Sequence, residues 1–100
     1  MSLAPSGRMT VDIRHNESDS RFETTIEGST AYAEYDLEPG GRIVFTHTIV
    51  PDALSGRGIA NQLVKAGLEH ARSQKLTVVP QCSFVQAFIK RHPEYEDLTQ

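Results

Sequence analysis

The first half of the chain alternates apolar and polar residues with a period of two, which is typical of strands with one buried face. The alternation occupies four runs, at residues 9–15, 21–27, 31–37 and 42–50. Turn-forming residues separate these runs, at 16–20, 28–29 and 38–41. Three short connections in a row favour antiparallel over parallel units. We therefore predict four strands that follow one another in an antiparallel meander.

After Val50 the period becomes that of a helix. Apolar residues between 60 and 71 recur at i, i+3, i+4, i+7, i+8 and i+11, which predicts an amphipathic helix of about four turns. Gly67 lies on the apolar stripe, where glycine costs helix stability relative to alanine, so we interpret it as a point of close approach to a sheet. Residues 75–81 form a short run rich in β-branched residues, which favours a strand covered on both faces.

A second helix is indicated near the end of the chain. Ser83 and Gln86 have the spacing of a capping box. Phe84, Phe88 and Ile89 would give this helix one apolar face. The predicted order of elements is therefore β-β-β-β-α-β-α, an α+β domain with a mixed sheet.

Length and composition limit the classes of protein to consider. One hundred residues suit a single domain, which we assign to 9–100, after a small, polar start at 1–8 that we expect to be a flexible tail. The formal net charge of −3 gives no support to nucleic-acid binding. No apolar run approaches the roughly 20 residues that span a bilayer, and the start lacks a secretory pattern, so we expect no membrane partner and a cytoplasmic location. Cys82 is the only cysteine, which excludes an internal disulfide and a cysteine-based zinc site, and we predict no metal.

The segment that joins the fourth strand to the first helix is the most informative about function. It passes through Pro51 into a loop with Gly56 and Gly58 that opens directly onto the helix. The first amide N–H groups of a helix lack an intrahelical partner and bind phosphate readily. The glycines would let a diphosphate approach these amides, and Arg57 could add a cation beside it. The plainer alternative is a turn whose glycines only permit the path of the backbone.

Other phosphate-binding motifs fit this loop less well. It lacks the Gly-Lys-Ser/Thr ending of a nucleotide P-loop and the three-glycine fingerprint of a dinucleotide-binding unit.

The same residues resemble a known family. Residues 55–60 look like the signature of the GNAT (GCN5-related) N-acetyltransferases, although Ser55 stands where the signature has glutamine or arginine. From about Tyr32 to Leu98, the chain resembles more closely a compact GNAT-like family whose domains are about as long as this chain. Four motifs in order carry that resemblance: His47-Thr48-x-Val50-Pro51, Gly56-x-Gly58-x-Ala60, Pro80-x-Cys82 and His92-Pro93-Glu94-Tyr95.

The resemblance implies a fold and a cofactor. In GNAT domains the fourth and fifth strands are parallel and splay apart around the pantetheine arm of acetyl-coenzyme A. The resemblance implies that Ile49 and Val50 offer backbone contacts to that arm. It implies that the pyrophosphate is held by Gly56, Arg57, Gly58, Ile59 and Ala60. The other expected cofactor contacts are Asn61, Ser83, Phe88 and His92. We expect Phe84 and Phe88 to pack in the core or against the pantetheine arm.

Two residues are candidates for the chemistry on the acetyl group. Cys82 follows the fifth strand at the start of a helix, where the dipole favours thiolate over thiol; the alternative is a small buried hydrophobe. His47 shares a predicted strand face with Ile43, Phe45 and Ile49. As a neutral imidazole it could take a proton from an amine or from Cys82, and a structural histidine is the alternative.

The usual acid of the family is missing. Many GNAT enzymes protonate the leaving thiolate with a tyrosine on the helix after the fifth strand, and the position we align to it is Phe88, which has no proton to give. Tyr95 is a candidate substitute. His15 and His70 are expected to be exposed, and we assign them no role.

We therefore predict an acetyltransferase that moves an acetyl group from acetyl-coenzyme A to an amine, on a small molecule, a protein or a peptide. The compact family lacks the helices with which larger GNAT enzymes build acceptor specificity, so we expect a shallow acceptor site or one completed by a partner. Two alternatives stay open: a non-catalytic coenzyme A-binding or sensor module, and a structural α+β module without a cofactor.

Overall fold

The structure, a computed structural model, describes residues 11–100. Within them the strands are β1 (Arg14–Asn16), β2 (Arg21–Ile26), β3 (Ser29–Glu38), β4 (Arg42–Ile49) and β5 (Thr77–Pro80). The α-helices are α1 (Ile59–Ser73) and α2 (Ser83–Arg91), and two 3-10 helices lie at Asp52–Leu54 and Pro93–Thr99. The predicted α+β class and order of main elements are confirmed, and the 3-10 helices are additions to it. No helix in this part of the chain has the length and apolar character needed to cross a membrane.

The sheet has the order β1-β2-β3-β4-β5. Neighbouring strands from β1 to β4 are antiparallel, and β4 and β5 are parallel, so the predicted mixed sheet is confirmed. The apolar stripe of α1 packs on one face of this sheet. Gly67 is the point of close approach that its position suggested, because a Cβ built there would lie 2.7 Å from Cε1 of the buried Phe45 ring.

The first strand differs from its prediction. A strand was expected at 9–15, but β1 covers only Arg14–Asn16, so Asn16 belongs to a strand and not to the following turn. Val11 and Ile13 pack against the core without pairing in the sheet. Residues 9 and 10 and the expected tail at 1–8 lie outside the described residues.

The fourth and fifth strands part as the resemblance implied. Their pairing ends at Phe45 and Pro80, and one further bond runs from the Cys82 N–H to the Phe45 carbonyl, at 2.9 Å. Beyond that point the residues 46–49 of β4 have no partner on β5. A gap therefore opens between β4 and the start of α2.

A β-bulge at Thr46 corrects the predicted face of His47. The register steps from Tyr35 opposite Phe45 to Glu34 opposite His47, so β4 contains one extra residue, Thr46. One extra residue moves every later side chain to the other face of a strand. His47 therefore lies on the face opposite to Phe45, where it is exposed. The face expected to be shared with Ile43 and Phe45 is wrong, whereas Ile49, beyond the bulge, does share the face of His47.

Three expectations about burial are also wrong. β5 is an edge strand in which only Val78 is buried, and it is not covered on both faces. Leu37, expected to continue the buried face of β3, is 64% exposed. His15 and His70 are half-buried, because their rings pack edge to face with centroids 4.5 Å apart. The hydroxyl of Tyr35 lies 2.5 Å from Nε2 of His15.

The start of α2 lacks the expected capping box. The N-cap residue is Cys82, one residue before Ser83, and Ser83 is already helical. The Gln86 side chain donates to the Pro80 carbonyl at 2.8 Å. It therefore tethers the end of β5 and does not reach back to a cap.

The apolar face of α2 is also shifted by one position. Val85, Phe88 and Ile89 are the buried residues of this helix, with spacing i, i+3 and i+4. Phe84, expected on that face, is 43% exposed. Its ring is therefore free to contact something other than the core.

Candidate functional site

The loop that precedes α1 is anchored by one buried side chain. Leu54, at the end of the first 3-10 helix, is 1% exposed. Both the backbone N–H and the hydroxyl of Ser55 donate to the Asp52 carbonyl, at 3.1 and 2.9 Å. The loop therefore leaves a fixed turn before it reaches the glycines.

Gly56 and Gly58 place the start of α1 beside open space. Their φ angles are +78° and +73°, and Gly58 is the N-cap of the helix. Positive φ favours glycine at both positions whatever lies nearby, so this much agrees with the plainer alternative. A Cβ built at either glycine would meet no atom within 4 Å, so the space beside these residues is free of protein atoms.

The first amides of α1 face that space without a partner. Within residues 11–100, the N–H groups of Ile59, Ala60 and Asn61 meet no acceptor. The first intrahelical bond runs from the Gln62 N–H to the Gly58 carbonyl. Three unpaired donors and the positive end of the helix dipole therefore coincide here, which favours an anion.

A cavity of about 230 Å³ lies at this helix start. Six of the residues predicted to contact a cofactor line it: Val50, Gly56, Gly58, Ile59, Ala60 and Asn61. Three further residues line it: Leu54, which was not predicted, Ser55, the first residue of the loop segment 55–60, and Phe84, which was expected in the core or against the pantetheine arm. The i, i+3, i+4 spacing of Val85, Phe88 and Ile89 is the signal that decides between these two, because it leaves Phe84 off the buried face.

Other predicted contacts lie outside this lining. Arg57 donates to the Ala53 carbonyl at 3.2 Å, and Ser83 is exposed. Phe88 is buried and packs against the ring of His92, with centroids 4.2 Å apart. The Ile49 side chain is 45% exposed, on the face of β4 that carries His47.

Cys82 lies where β4 and α2 separate, and its partner is Thr48. The Thr48 hydroxyl is 3.4 Å from the Cys82 sulfur. Burial raises the pKa of the Cys82 thiol, but the Thr48 hydrogen bond and the backbone N–H groups of Val85 and Phe84 outweigh burial, and the pKa lies below its ordinary value. Neither N–H forms a full capping hydrogen bond with the sulfur, so these amides act through proximity at the helix start.

The structure does not bring Cys82 and His47 together as a pair. Thr48, which contacts Cys82, pairs with Ala33 on the buried face of the sheet, and His47 pairs with Glu34 on the open face. The two chemical candidates therefore lie on opposite sides of β4.

The surroundings of Tyr95 do not suit it to replace the missing acid. Its hydroxyl donates to Glu69 on α1. Burial, and then this hydrogen bond to a carboxylate, raise the pKa of Tyr95 to about 12. A hydroxyl held in this way is a weaker proton donor than an ordinary tyrosine.

Comparison with known proteins assigns a family. The sequence profile of the family described as GCN5-related N-acetyl-transferase matches residues 21–98. Protein NATD1 from Bos taurus is 35% identical over 92 residues, covering 90% of this chain and 81% of the relative. Protein NATD1 from Homo sapiens is 34% identical over 85 residues, covering 83% and 75%. The NMR structure of a GCN5-like protein from Staphylococcus aureus aligns with a TM-score of 0.70 and 28% identity, covering 88% of this chain and 86% of that one. The motifs and the fold thus agree with these matches, and the chain belongs to the GCN5-related N-acetyltransferase family.

Proposed function

We propose that this protein transfers the acetyl group of acetyl-coenzyme A to an amine. The observation that carries the proposal is the cavity at the start of α1, where unpaired amides meet an apolar wall. Val50, in that wall, is two residues after Thr48, so the cavity lies on the same face of the chain as the contact between Thr48 and Cys82.

The residues at this cavity fit coenzyme A. The amides of residues 59–61 suit a diphosphate, and the side chains of Val50, Leu54 and Phe84 suit the less polar pantetheine arm. The space beside Gly56 and Gly58 admits a ligand close to the backbone. When bound, acetyl-coenzyme A supplies an activated thioester. Further contacts from Ser83, Phe88 and His92 are part of the same proposal; one from Arg57 requires that its guanidinium leave the Ala53 carbonyl.

Cys82 provides a nucleophile for a two-step transfer. Its thiolate attacks the acetyl carbonyl carbon, a new S–C bond forms, and the bond to the coenzyme A sulfur breaks. Solvent would protonate the coenzyme A thiolate that leaves, because Phe88 has no proton to give. An amine then attacks the acetylated Cys82, the amide forms, and Cys82 returns as a thiolate. The alternative is direct attack by the amine, with Cys82 near the thioester but not acetylated.

His47 is the candidate base for the acceptor. It is exposed on the open face of the sheet, opposite Glu34. From that face it would accept the proton that the amine loses, and it would not deprotonate Cys82 directly. An amine would therefore enter from the open face through the gap between β4 and the start of α2, and meet there the thioester, which occupies the cavity side of β4.

Mass spectrometry of the protein after incubation with acetyl-coenzyme A tests the two-step route. The wild type should gain one acetyl group that hydroxylamine removes, and Cys82→Ala should not. Gln81→Ala, a neighbouring exposed position without an assigned role, should acetylate like the wild type. Wild type that transfers acetyl groups to amines but never carries the adduct would establish direct transfer instead.

A specific observation favours a second candidate function, a coenzyme A-binding module without catalysis. Phe88 occupies the position of the family's acid, and the Tyr95 hydroxyl is held by Glu69. Labelled acetyl-coenzyme A, offered with a panel of amines and peptides, separates the two functions. Tight coenzyme A binding, seen as a rise in melting temperature, together with no labelled product would favour the second function.

A further inference from the structure

Arg57, the cation predicted to lie beside the diphosphate, does not line the cavity. It lies between the two loop glycines, but its guanidinium donates to the Ala53 carbonyl. The amides at the start of α1 therefore lack a cation from their own loop. A diphosphate held by backbone amides alone would keep most of its charge uncompensated.

A different arginine reaches the same helix start from α2. Arg91 is the last residue of α2, and its Nη2 lies 3.5 Å from Oδ1 of Asn61. Asn61 is in the first turn of α1 and lines the cavity. The contact is long for a hydrogen bond, so an anion could replace the amide oxygen as a partner at little cost.

The charge of Arg91 is not neutralised by another residue. Its side chain is exposed, and it forms no ion pair within the part of the chain that the structure describes. It also lies at the C-terminal end of α2, where helix carbonyls would repel an anion if no cation were present. A guanidinium donates to phosphate oxygens in a planar fork, which suits it to this position.

We propose that Arg91 recognises the phosphate groups of coenzyme A at the mouth of the cavity beside Asn61. The proposal rests on the proposed function, since it needs coenzyme A to bind at the start of α1. It gives α2 two roles along its length: its first turn presents Cys82 and Phe84 to the thioester end of the ligand, and its last residue meets the charged end. Arg91 would thus distinguish full-length coenzyme A from phosphate-free thiols.

Calorimetric titration with two ligands tests this assignment. Coenzyme A carries the phosphates and pantetheine carries none. Arg91→Gln should weaken coenzyme A binding by about tenfold, as expected for losing a hydrogen-bonded charge, and should leave pantetheine binding within about twofold of wild type. Lys90→Gln is the matched control, because it removes the same charge one residue earlier, beside a different groove. It should change neither affinity by more than about twofold.

Three results would overturn the assignment. Equal coenzyme A affinity of Arg91→Gln and wild type would do so, and so would a larger loss for Arg57→Gln than for Arg91→Gln. An equal loss for coenzyme A and pantetheine would show that Arg91 acts by positioning α2. Amide shifts of residues 56–61 on adding coenzyme A to wild type keep the proposed function separate: shifts without an Arg91 effect would remove only this assignment, while no binding at all would remove both.

Discussion

The two ends of α1 each border a groove, and the two grooves are built from different groups. At the N-terminal end, a cavity of about 230 Å³ is lined by a glycine-bearing loop, apolar side chains and unpaired backbone amides. At the C-terminal end, a cavity of about 550 Å³ is lined by side chains that bond to one another. There, His15 stacks on Phe22 with ring centroids 4.2 Å apart, meets the Tyr35 hydroxyl and packs against His70.

The larger cavity is thus the less suited to a ligand. Its histidine and tyrosine already satisfy each other, so a ligand would have to break their hydrogen bond before forming its own. The smaller cavity offers donors that are satisfied by nothing else in the described chain. Unpaired polar groups therefore distinguish the candidate site from the other cavity better than cavity volume does.

The largest expected effect comes from adding a side chain at the N-terminal end. Gly58→Ala puts a Cβ on a residue with a φ of +73°, which costs roughly 1–2 kcal/mol. If the backbone moves to relieve this strain, the amides of α1 lose their alignment, so coenzyme A affinity should fall about tenfold or more. Titration calorimetry measures the affinity, and chemical denaturation measures the stability.

Gly40→Ala is the control for that experiment. Gly40 has a φ of +88° in the turn between β3 and β4, and its surroundings are equally empty. It should lose similar stability and keep wild-type affinity. If both variants bound coenzyme A like wild type, the comparison between the two ends of α1 would fail.

The next largest effect is a loss of stability on substitution of Gly67, at the centre of α1. Gly67→Ala improves helix propensity by about 1 kcal/mol, but its Cβ would overlap the Phe45 ring. Overpacking of a core costs typically 1–3 kcal/mol. Because the 2.7 Å contact is too short for any real Cβ, the cost lies towards the upper end, and we expect net destabilisation of up to about 2 kcal/mol. Denaturant unfolding checks this, and the penalty should shrink in a Phe45→Leu background, which makes room for the methyl group. A stabilised Gly67→Ala protein would contradict the close approach.

A smaller effect is expected at the C-terminal groove. Tyr35→Phe removes the hydroxyl that bonds to His15 and should cost about 1 kcal/mol of stability. Tyr32→Phe removes a hydroxyl that bonds to no other residue in 11–100, and it should cost less. Neither change should alter coenzyme A affinity, and a loss of affinity in Tyr35→Phe would show that the two grooves are coupled.

The smallest effect is a dependence of stability on pH. Burial, and then the neighbouring His70, lower the pKa of His15 from its ordinary 6.5, while Glu17 opposes them. The folded protein therefore binds fewer protons than the unfolded chain, so stability is complete above about pH 6.5 and falls as the pH drops below that value. His15→Gln should remove this contribution and His70→Gln should reduce it, in unfolding measured between about pH 5 and 7.5. An equally steep loss in all three proteins would assign it to other groups.

Much of the fold followed from short-range patterns. The alternation in β2 and β3, the apolar stripe of α1 and the close approach at Gly67 were predicted because each depends on neighbouring residues and the period of one element. The family followed from four motifs in order. At the candidate site, the loop glycines and the start of α1 were predicted for the same reason.

Long-range geometry explains the errors. The bulge at Thr46 depends on the register of β4 against β3, and no local pattern marks it, so His47 was placed on the wrong face. Phe84 was expected on the apolar face of α2 and is exposed, because which residues of a helix are buried depends on how that helix docks. The pairing of His15 with Tyr35 joins residues 20 positions apart.

The sequence by itself determined which elements form, where the helix with exposed amides begins, and to which family the chain belongs, because these properties are carried by residues close together in the chain. Only the tertiary structure decided which side chains surround that helix start. In the folded domain Arg57 bonds to Ala53, and Arg91 contacts Asn61, 30 positions away. The bulge at Thr46 puts His47 on the face of β4 opposite to Cys82. Those outcomes depend on how strands register and helices dock, and packing across the whole domain sets both.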